Sequence, residues 1–436
     1  MKNQLRTENR RRDRLTRKLL VIASVCNWAM ALWLVAATPA SAGDWPQILG
    51  PDRNGHAVQE SLPGKWPAAG PPQLWQHEVG RGFAGVAVAG GQVMLWHRVG
   101  DQEVAEMLNA TDGRRLWKTS FDAHYRGSIF PDQDGPLSVP LIDGDRVFLY
   151  GAGGDLHAVS RADGRKLWSR SLYRELRSRR GQIDCGYFGA GGSPIVEGDK
   201  LIVNVGGFSG NGIVALASTD GRTKWAVSDE LPSYSSPVTA TVEGIRHVVF
   251  VTRFNVVSVD PRDGAERFRF AFGRRGPTVN AAAPLVVGNR LFVTASYGVG
   301  AVMAEMDRDS ARQVWANDNV LSSQYSTSVH HDGFLYGVDG RADVGVASLR
   351  CVELETGKLM WTERNFGVAA VILADGKLLI MKTDGQLLLA SPSTQGFRKL
   401  DQARLFDGTV RALPALSDGR FYARDQQHLK CFQLGR

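Results

Sequence analysis

The chain has 436 residues, 43% of them hydrophobic, which is ample for a packed core and too long for one ordinary domain unless that domain is built of repeats. Its formal net charge is +8, but residues 1–42 hold eight Lys or Arg (Lys2, Arg6, Arg10, Arg11, Arg12, Arg14, Arg17, Lys18) against two acids (Glu8, Asp13), and so carry +6 of it. What remains is almost neutral, which argues against a nucleic-acid partner.

The first predicted element is an export signal over residues 1–42. The basic stretch leads into the apolar run "LLVIASVCNWAMALWLVAA" (19–37), and Ala40-Ser41-Ala42 fits the small-x-small cleavage rule. The run also reaches the roughly 17–25 residues needed to span a bilayer, so an uncleaved anchor over 19–37 stands beside the cleaved peptide. Either way the expected compartment is periplasmic or otherwise extracytoplasmic. Cys26 falls inside this segment, which leaves Cys185, Cys351 and Cys431, an odd number with no close pair and no disulfide framework.

Residues 43–70 form a lead-in segment that opens "DWPQILGPDRNGHA" (44–57). Beyond it, an apolar run broken by a glycine turn and resumed at once recurs eight times. The turn glycines are Gly91, Gly144, Gly198, Gly244, Gly288, Gly333, Gly376 and Gly419, spaced 43 to 54 residues apart. A second phrase sits midway between these, as in "LNATDGRRLWKTSF" (108–121), with an aromatic four residues after a small residue. Its copies are Gly113/Trp117, Gly164/Trp168, Gly221/Trp225, Gly264/Phe268, Ala311/Trp315 and Gly357/Trp361, with a degenerate Gly396/Leu400.

Glycine takes φ > 0 without steric cost, so each phrase reads as a tight turn between two strands. Two hairpins per repeat and a period in the forties predict an all-β fold: an eight-bladed β-propeller with four-stranded antiparallel blades over residues 71–436. The last blade, ending "LKCFQLGR" (429–436), lacks a tryptophan strand. "PPQLWQHEVG" with Trp75 is expected to supply it and close the ring, removing two open sheet edges. Trp75, Trp117, Trp168, Trp225, Phe268, Trp315 and Trp361 are expected to pack across the seams between blades.

The phrase best seen in "VELETGKLMW" resembles the tryptophan-docking motif of the PQQ-like (quinoprotein-type) β-propellers, a family that includes quinoprotein alcohol dehydrogenases and the outer-membrane assembly scaffold BamB. The resemblance covers about residues 70–436, and "DWPQILGPDRNGHA" is similar to the start of many exported bacterial members. It implies the fold; it does not separate scaffold from enzyme. A dehydrogenase of the family carries adjacent cysteines over the cofactor and a Glu/Asn/Asp set around calcium. Here no two cysteines are adjacent, and the loop acids Asp132, Asp134 and Asp184 have no assignable partner.

No nucleophile elbow is present, and His330 and His331 are neighbours on a strand, pointing to opposite faces, which prevents them from sharing a metal. No catalytic, cofactor-binding or metal residue is therefore assigned, and no cofactor is expected.

Two sets of loop residues remain as binding candidates. The connection Tyr173–Gly192 is the most basic one, with Arg174, Arg177, Arg179 and Arg180, and it also carries Tyr187 and Cys185. Loops on a rigid scaffold are where recognition is carried, so this lip is a candidate partner-binding loop, against a reading as a merely solvated loop or short helix. Tyr125, Tyr234, Asn280, Tyr325 and Arg411 occupy corresponding connections and are candidates to meet in the central funnel.

The combined expectation is a monomeric, exported, non-catalytic binding or assembly scaffold at the cell envelope, with envelope proteins as partners, no nucleic acid, and membrane contact only through the N-terminal segment. The alternatives are a PQQ-dependent oxidoreductase with its site in the funnel and a carbohydrate- or polymer-binding propeller.

Overall fold

The computed structural model describes residues 43–125, 134–178 and 188–435; the predicted signal or anchor at 1–42 lies outside these residues. Among the described residues no helix is long and apolar enough to cross a membrane. The chain forms an eight-bladed β-propeller of antiparallel four-stranded sheets. Blades 1 to 7 are residues 87–122, 141–171, 195–227, 238–271, 285–317, 329–363 and 369–404. Blade 8 combines 415–433 with the strand Gln73–Glu78.

That strand pairs with His428–Gln433, Trp75 opposite Cys431 and Glu78 opposite His428, so the chain's own N-terminal side closes the ring. Cys431 and its counterpart Cys351 in blade 6 are fully buried free thiols inside their blades.

Strand burial follows from this stacking. The middle strands of each blade lie between two neighbouring blades, so both faces are covered. Val147, Phe148, Leu149 and Tyr150, consecutive in one strand, are all at most 2% exposed. Such strands must be apolar at every position, and the sequence shows them as continuous runs. Outermost strands bury one face only, and Arg115–Asp122 alternates accordingly, with Trp117 buried between exposed neighbours.

Every outermost strand contains a bulge next to its docking position. The skipped residue re-aims the following side chain toward the next blade. There the indole N–H donates to a turn carbonyl: Trp75 to Ala110 (3.0 Å), Trp117 to Arg161 (2.8 Å), Trp168 to Ser218 (3.1 Å), Trp225 to Pro261 (3.2 Å), Trp315 to Leu354 (2.9 Å) and Trp361 to Ser393 (2.6 Å). At all of these seams but that of Trp361 the ring lies on the glycine of that turn. A Cβ added at Gly113 or Gly221 would stand only 2.7 or 2.8 Å from the indole of Trp75 or Trp168, so the motif's glycine is required for docking as well as for its positive φ.

Two seams depart from the pattern. Between blades 4 and 5, Phe268 replaces tryptophan and Ala311 replaces the glycine, a matched pair of changes in which both indole and cradle are absent. Arg267 spans this seam instead, pairing with Asp260 and with Asp309 at 2.8 Å.

Between blades 7 and 8, the sequence reading of Gly396/Leu400 is one residue out of register. The span from Leu389 to Asp401 is longer than its counterpart Cys351 to Trp361, and one extra residue falls between Gly396 and the docking slot, so Leu400 is the bulged residue and Asp401, opposite Leu389, occupies that slot. Its carboxylate accepts the backbone N–H of Trp66 at 2.6 Å, and the Trp66 ring is buried in the core shared with Leu405, Phe406 and Leu434. The lead-in segment therefore provides the aromatic that blade 7 lacks.

The same segment fills one end of the central channel. Trp45 bridges the inner strand of blade 1 at Val88, and the carbonyl of Pro46 accepts from Ile142 in blade 2. His56–Ala57 pairs in parallel with the inner strand Ala369–Ala374 of blade 7. Between these contacts Arg53, 2% exposed, donates to the carbonyls of Ser193 (3.2 Å), Pro194 and Pro237 (2.8 Å) at the starts of blades 3 and 4, and to Gln47 Oε1 (2.7 Å). Residues 45–57 thus cross the axis and are hydrogen-bonded to blades on opposite sides of the ring.

Candidate functional site: the loop face and its cavity

Opposite the plug, the connections that lead into each inner strand surround a cavity of about 910 Å³. Tyr234, Tyr325 and Arg411 line it, together with apolar and aromatic side chains such as Phe83, Leu137, Phe188 and Leu413, and Ile48 of the plug contributes from below. Of the funnel candidates, these three are brought together. Asn280 is not with them: it is 1% exposed, and its amide nitrogen donates to the carbonyls of Thr252 (2.8 Å) and Arg253 (3.2 Å), which turns the side chain into the ring. Tyr125 does not line the cavity either; its carbonyl accepts from Arg98 at 2.7 Å.

Tyr234 is held by Phe188, whose backbone N–H donates to its hydroxyl at 2.8 Å while the two rings stand 6.0 Å apart. Burial raises its pKa and keeps it neutral. Burial likewise raises the phenol of Tyr325, with the charge of Arg411 opposing. Arg411 rests its guanidinium 5.5 Å from the Phe83 ring centroid. The lining carboxylate Asp343 is taken up by Arg341 and by Gln324.

Beside the cavity, sharing Pro277, Thr278 and Tyr297 with it, a groove of about 630 Å³ runs between blades 5 and 6 past Arg274, Asp339 and Arg341. Arg341 stacks 4.1 Å over the centroid of Tyr297. The hairpin joining Phe334–Arg341 to Val346–Glu353 rises over this groove and exposes Val344 and Val346, 56% and 62% accessible.

The basic connection is structured at its base. Leu172–Glu175 forms one helical turn with Leu172 and Tyr173 buried against blades 2 and 3, and Ser178 donates to Val205 O at 2.7 Å. Arg174 and Arg177 are exposed on this base. Arg179, Arg180, Asp184, Cys185 and Tyr187, like Asp132 in the preceding connection, lie outside the described residues. Asp134 pairs with Arg81 (2.9 Å) and with the buried Arg98 (3.3 Å), which makes it part of the blade 1 framework.

Two buried carboxyls complete the electrostatics. Glu103, near this face, accepts the Ala152 N–H at 2.8 Å across the seam to blade 2; burial pushes its pKa up to about 7, and Asp155 adds to the rise. Glu106 sits at the ring-closing seam. Burial alone would raise it, but the hydrogen bond with His77 (2.8 Å) of the closing strand and the nearby imidazole of His97 (3.8 Å) outweigh that and hold it ionised.

The loop face does not fit a polycarboxylate quinone held over calcium. Such a group needs several cations and a cluster of oxygen ligands, whereas the cavity wall offers Arg411 and an Asp343 already engaged by Arg341. Among the described residues no group of three His, Cys, Asp or Glu is placed to hold a metal. Phe83, Tyr297, Asp343, Ile48 and Arg53 were not singled out from the sequence. The set-apart phrase 44–57 was the one available signal, since it contains both Ile48 and Arg53.

A family profile described as "Outer membrane protein assembly factor BamB" matches residues 68–184 and 100–363. No curated protein sequence matches the chain. Among solved structures, BamB from Moraxella catarrhalis is 18% identical with a TM-score of 0.60, covering 83% of this chain and 97% of that one. The quinohemoprotein alcohol dehydrogenase from Comamonas testosteroni is 12% identical with a TM-score of 0.65, covering 91% and 82%. The computationally designed protein Ika8 is 11% identical with a TM-score of 0.54, covering 83% and 98%. BamB, an alcohol dehydrogenase and a designed protein are thus all similar to this chain in fold, and at such identities the likeness concerns the fold alone.

Proposed function

Since the chain belongs to the family described as outer membrane protein assembly factor BamB, we propose that it is a non-catalytic binding and assembly module of the cell envelope, holding a protein partner on its loop face. The observation that carries this reading is the blade 6 hairpin. Val344, in the turn, and Val346, where the ladder begins opposite Arg341, stand exposed at the tip of this hairpin beside Arg274 and Arg341. Adjacent exposed apolar side chains cost solvation unless a partner covers them, and arginine beside apolar surface is what protein interfaces favour. Arg174 and Arg177, exposed on the same face, extend the surface and bring long-range attraction for an acidic partner.

The role needs no cofactor. Extracytoplasmic action follows from the export signal read in residues 1–42, and the working unit is a monomer, because ring closure leaves no blade edge to be completed by another copy. The competing reading is an oxidoreductase using pyrroloquinoline quinone, whose requirements the cavity lining does not meet.

The two readings separate in one experiment. Purified protein is mixed with pyrroloquinoline quinone and calcium and assayed for dye-coupled alcohol oxidation, while immobilised wild type and Val344→Asp/Val346→Asp protein capture partners from envelope extracts. The expected result is no cofactor-dependent dye reduction, together with a partner held by wild type and released by the variant. Dye reduction above a heat-killed control, or capture indifferent to the variant, overturns the proposal.

A further inference from the structure

Among the described residues, the charges around the loop-face cavity do not balance. Arg411 is on its wall, and among the described residues no carboxylate or other hydrogen-bond acceptor is paired with its guanidinium; its neighbour is the Phe83 ring. Below, the plug's Arg53 is bonded to Gln47 and to backbone carbonyls, all neutral acceptors, and burial brings its pKa down to about 9, still charged at neutral pH. The wall's Asp343 is offset by its own partner Arg341. Among the described residues, two guanidinium charges therefore stand without a compensating acid in and under a cavity whose other walls are largely apolar.

An uncompensated cation beside a low-dielectric wall raises the local potential and favours an anion. The volume, about 910 Å³, lies in the range of pockets that enclose small organic ligands. The plug closes the bottom with Ile48, so the cavity is a cup that a ligand enters and leaves from the loop face.

We propose that this cup is a binding site for a small organic monoanion, a carboxylate on an apolar or aromatic body, with the carboxylate meeting Arg411 and the body packed among Phe83, Leu137, Phe188 and Leu413. The aromatic walls accept a flat or chain-like body without directional demands, and the guanidinium fork fixes the orientation of the carboxylate. The cup adjoins the proposed partner surface, since Ala342 and Asp343 of the blade 6 hairpin lie on its wall, but Arg411 and the apolar residues that would hold the ligand lie on other connections, so the two sites are tested by different substitutions.

Titration calorimetry with 2-naphthoate and its neutral counterpart 2-naphthamide tests the proposal on the full chain. Wild type is expected to bind naphthoate at one site and naphthamide about tenfold more weakly or worse, the size of one charge-assisted contact. Arg411→Met should remove that preference while still binding the amide. Ala281→Trp, which fills the cavity, should abolish binding of both probes, and Arg274→Met, which removes the same charge from the neighbouring groove, should behave as wild type. Melting curves confirm that each variant is folded. Equal affinity of wild type for acid and amide, no binding of either, or a preference that survives Arg411→Met would overturn the assignment.

Discussion

The two ends of the central channel solve the same problem in opposite ways. Inner strands of eight blades leave an axial hole lined by backbone ends, and at one end the lead-in segment fills it, with Arg53 satisfying carbonyls from blades 3 and 4 and Trp45 and Ala57 pairing with blades 1 and 7. At the other end the hole stays open as a cavity, and two charges there lack an ionic partner among the described residues: Arg411 on the wall, and Glu103 buried nearby with only the Ala152 N–H as donor. Buried polar groups that are fully bonded rigidify a structure, whereas those left uncompensated cost stability and mark places kept for something else. The plugged end is therefore held by its own bonds, which is why the proposed binding role is assigned to the loop face.

The sharpest way to break this contrast is at Arg53. Arg53→Met should lower stability by about 3–5 kcal/mol, because buried carbonyls at three positions lose their donor at roughly 1–3 kcal/mol each, partly offset by removing a buried charge. Chemical denaturation measures it, and a loss no larger than that of an ordinary surface change would show that the plug is not a structural keystone.

Next in size is Trp66→Ala. Its ring takes the place of a docking tryptophan at the blade 7–8 seam, and its removal should cost about 3 kcal/mol, as for other large buried aromatics. A neutral result in thermal melts would mean that Asp401 and its surroundings hold that seam unaided.

At the loop face the effects shrink and one changes sign. Glu103 has a folded-state pKa raised to about 7 from its ordinary 4.5, so its contribution to stability is fully present below 4.5 and lost as pH rises through 7. Glu103→Gln should therefore be more stable than wild type at about pH 8, by roughly 2–3 kcal/mol, with the advantage vanishing toward about pH 4. Denaturation midpoints of both proteins across pH check it, and parallel curves would contradict it. Smallest of all, Arg174→Ser/Arg177→Ser should leave stability within about 0.5 kcal/mol while weakening partner capture most at low salt.

Much of this architecture is legible in the sequence because its determinants are local. A glycine needing positive φ and a tryptophan at fixed offset from it repeat with the blade, and the missing tryptophan strand after "LKCFQL" points to Trp75. What is hidden depends on contacts distant in sequence. One extra residue between Gly396 and the bulge moves the docking slot from Leu400 to Asp401, and no residue type marks the shift. Arg53 finds its carbonyls about 140 and 184 residues away, and carbonyls have no sequence signature. Asn280 looked like a funnel residue because its loop position matches those of Tyr234 and Tyr325, yet it folds back onto Thr252. Connection position alone does not say which way a side chain turns.

The division of labour between the two ends is tested most directly by photo-crosslinking in intact cells. A benzophenone amino acid is placed at Val344 or Val346 on the loop face, and at the exposed Asp145 or Arg222 on the turn face. The account predicts a discrete crosslinked envelope protein from positions 344 and 346 and none from 145 and 222. Crosslinks that arise equally from both faces, or from the turn face alone, would contradict it.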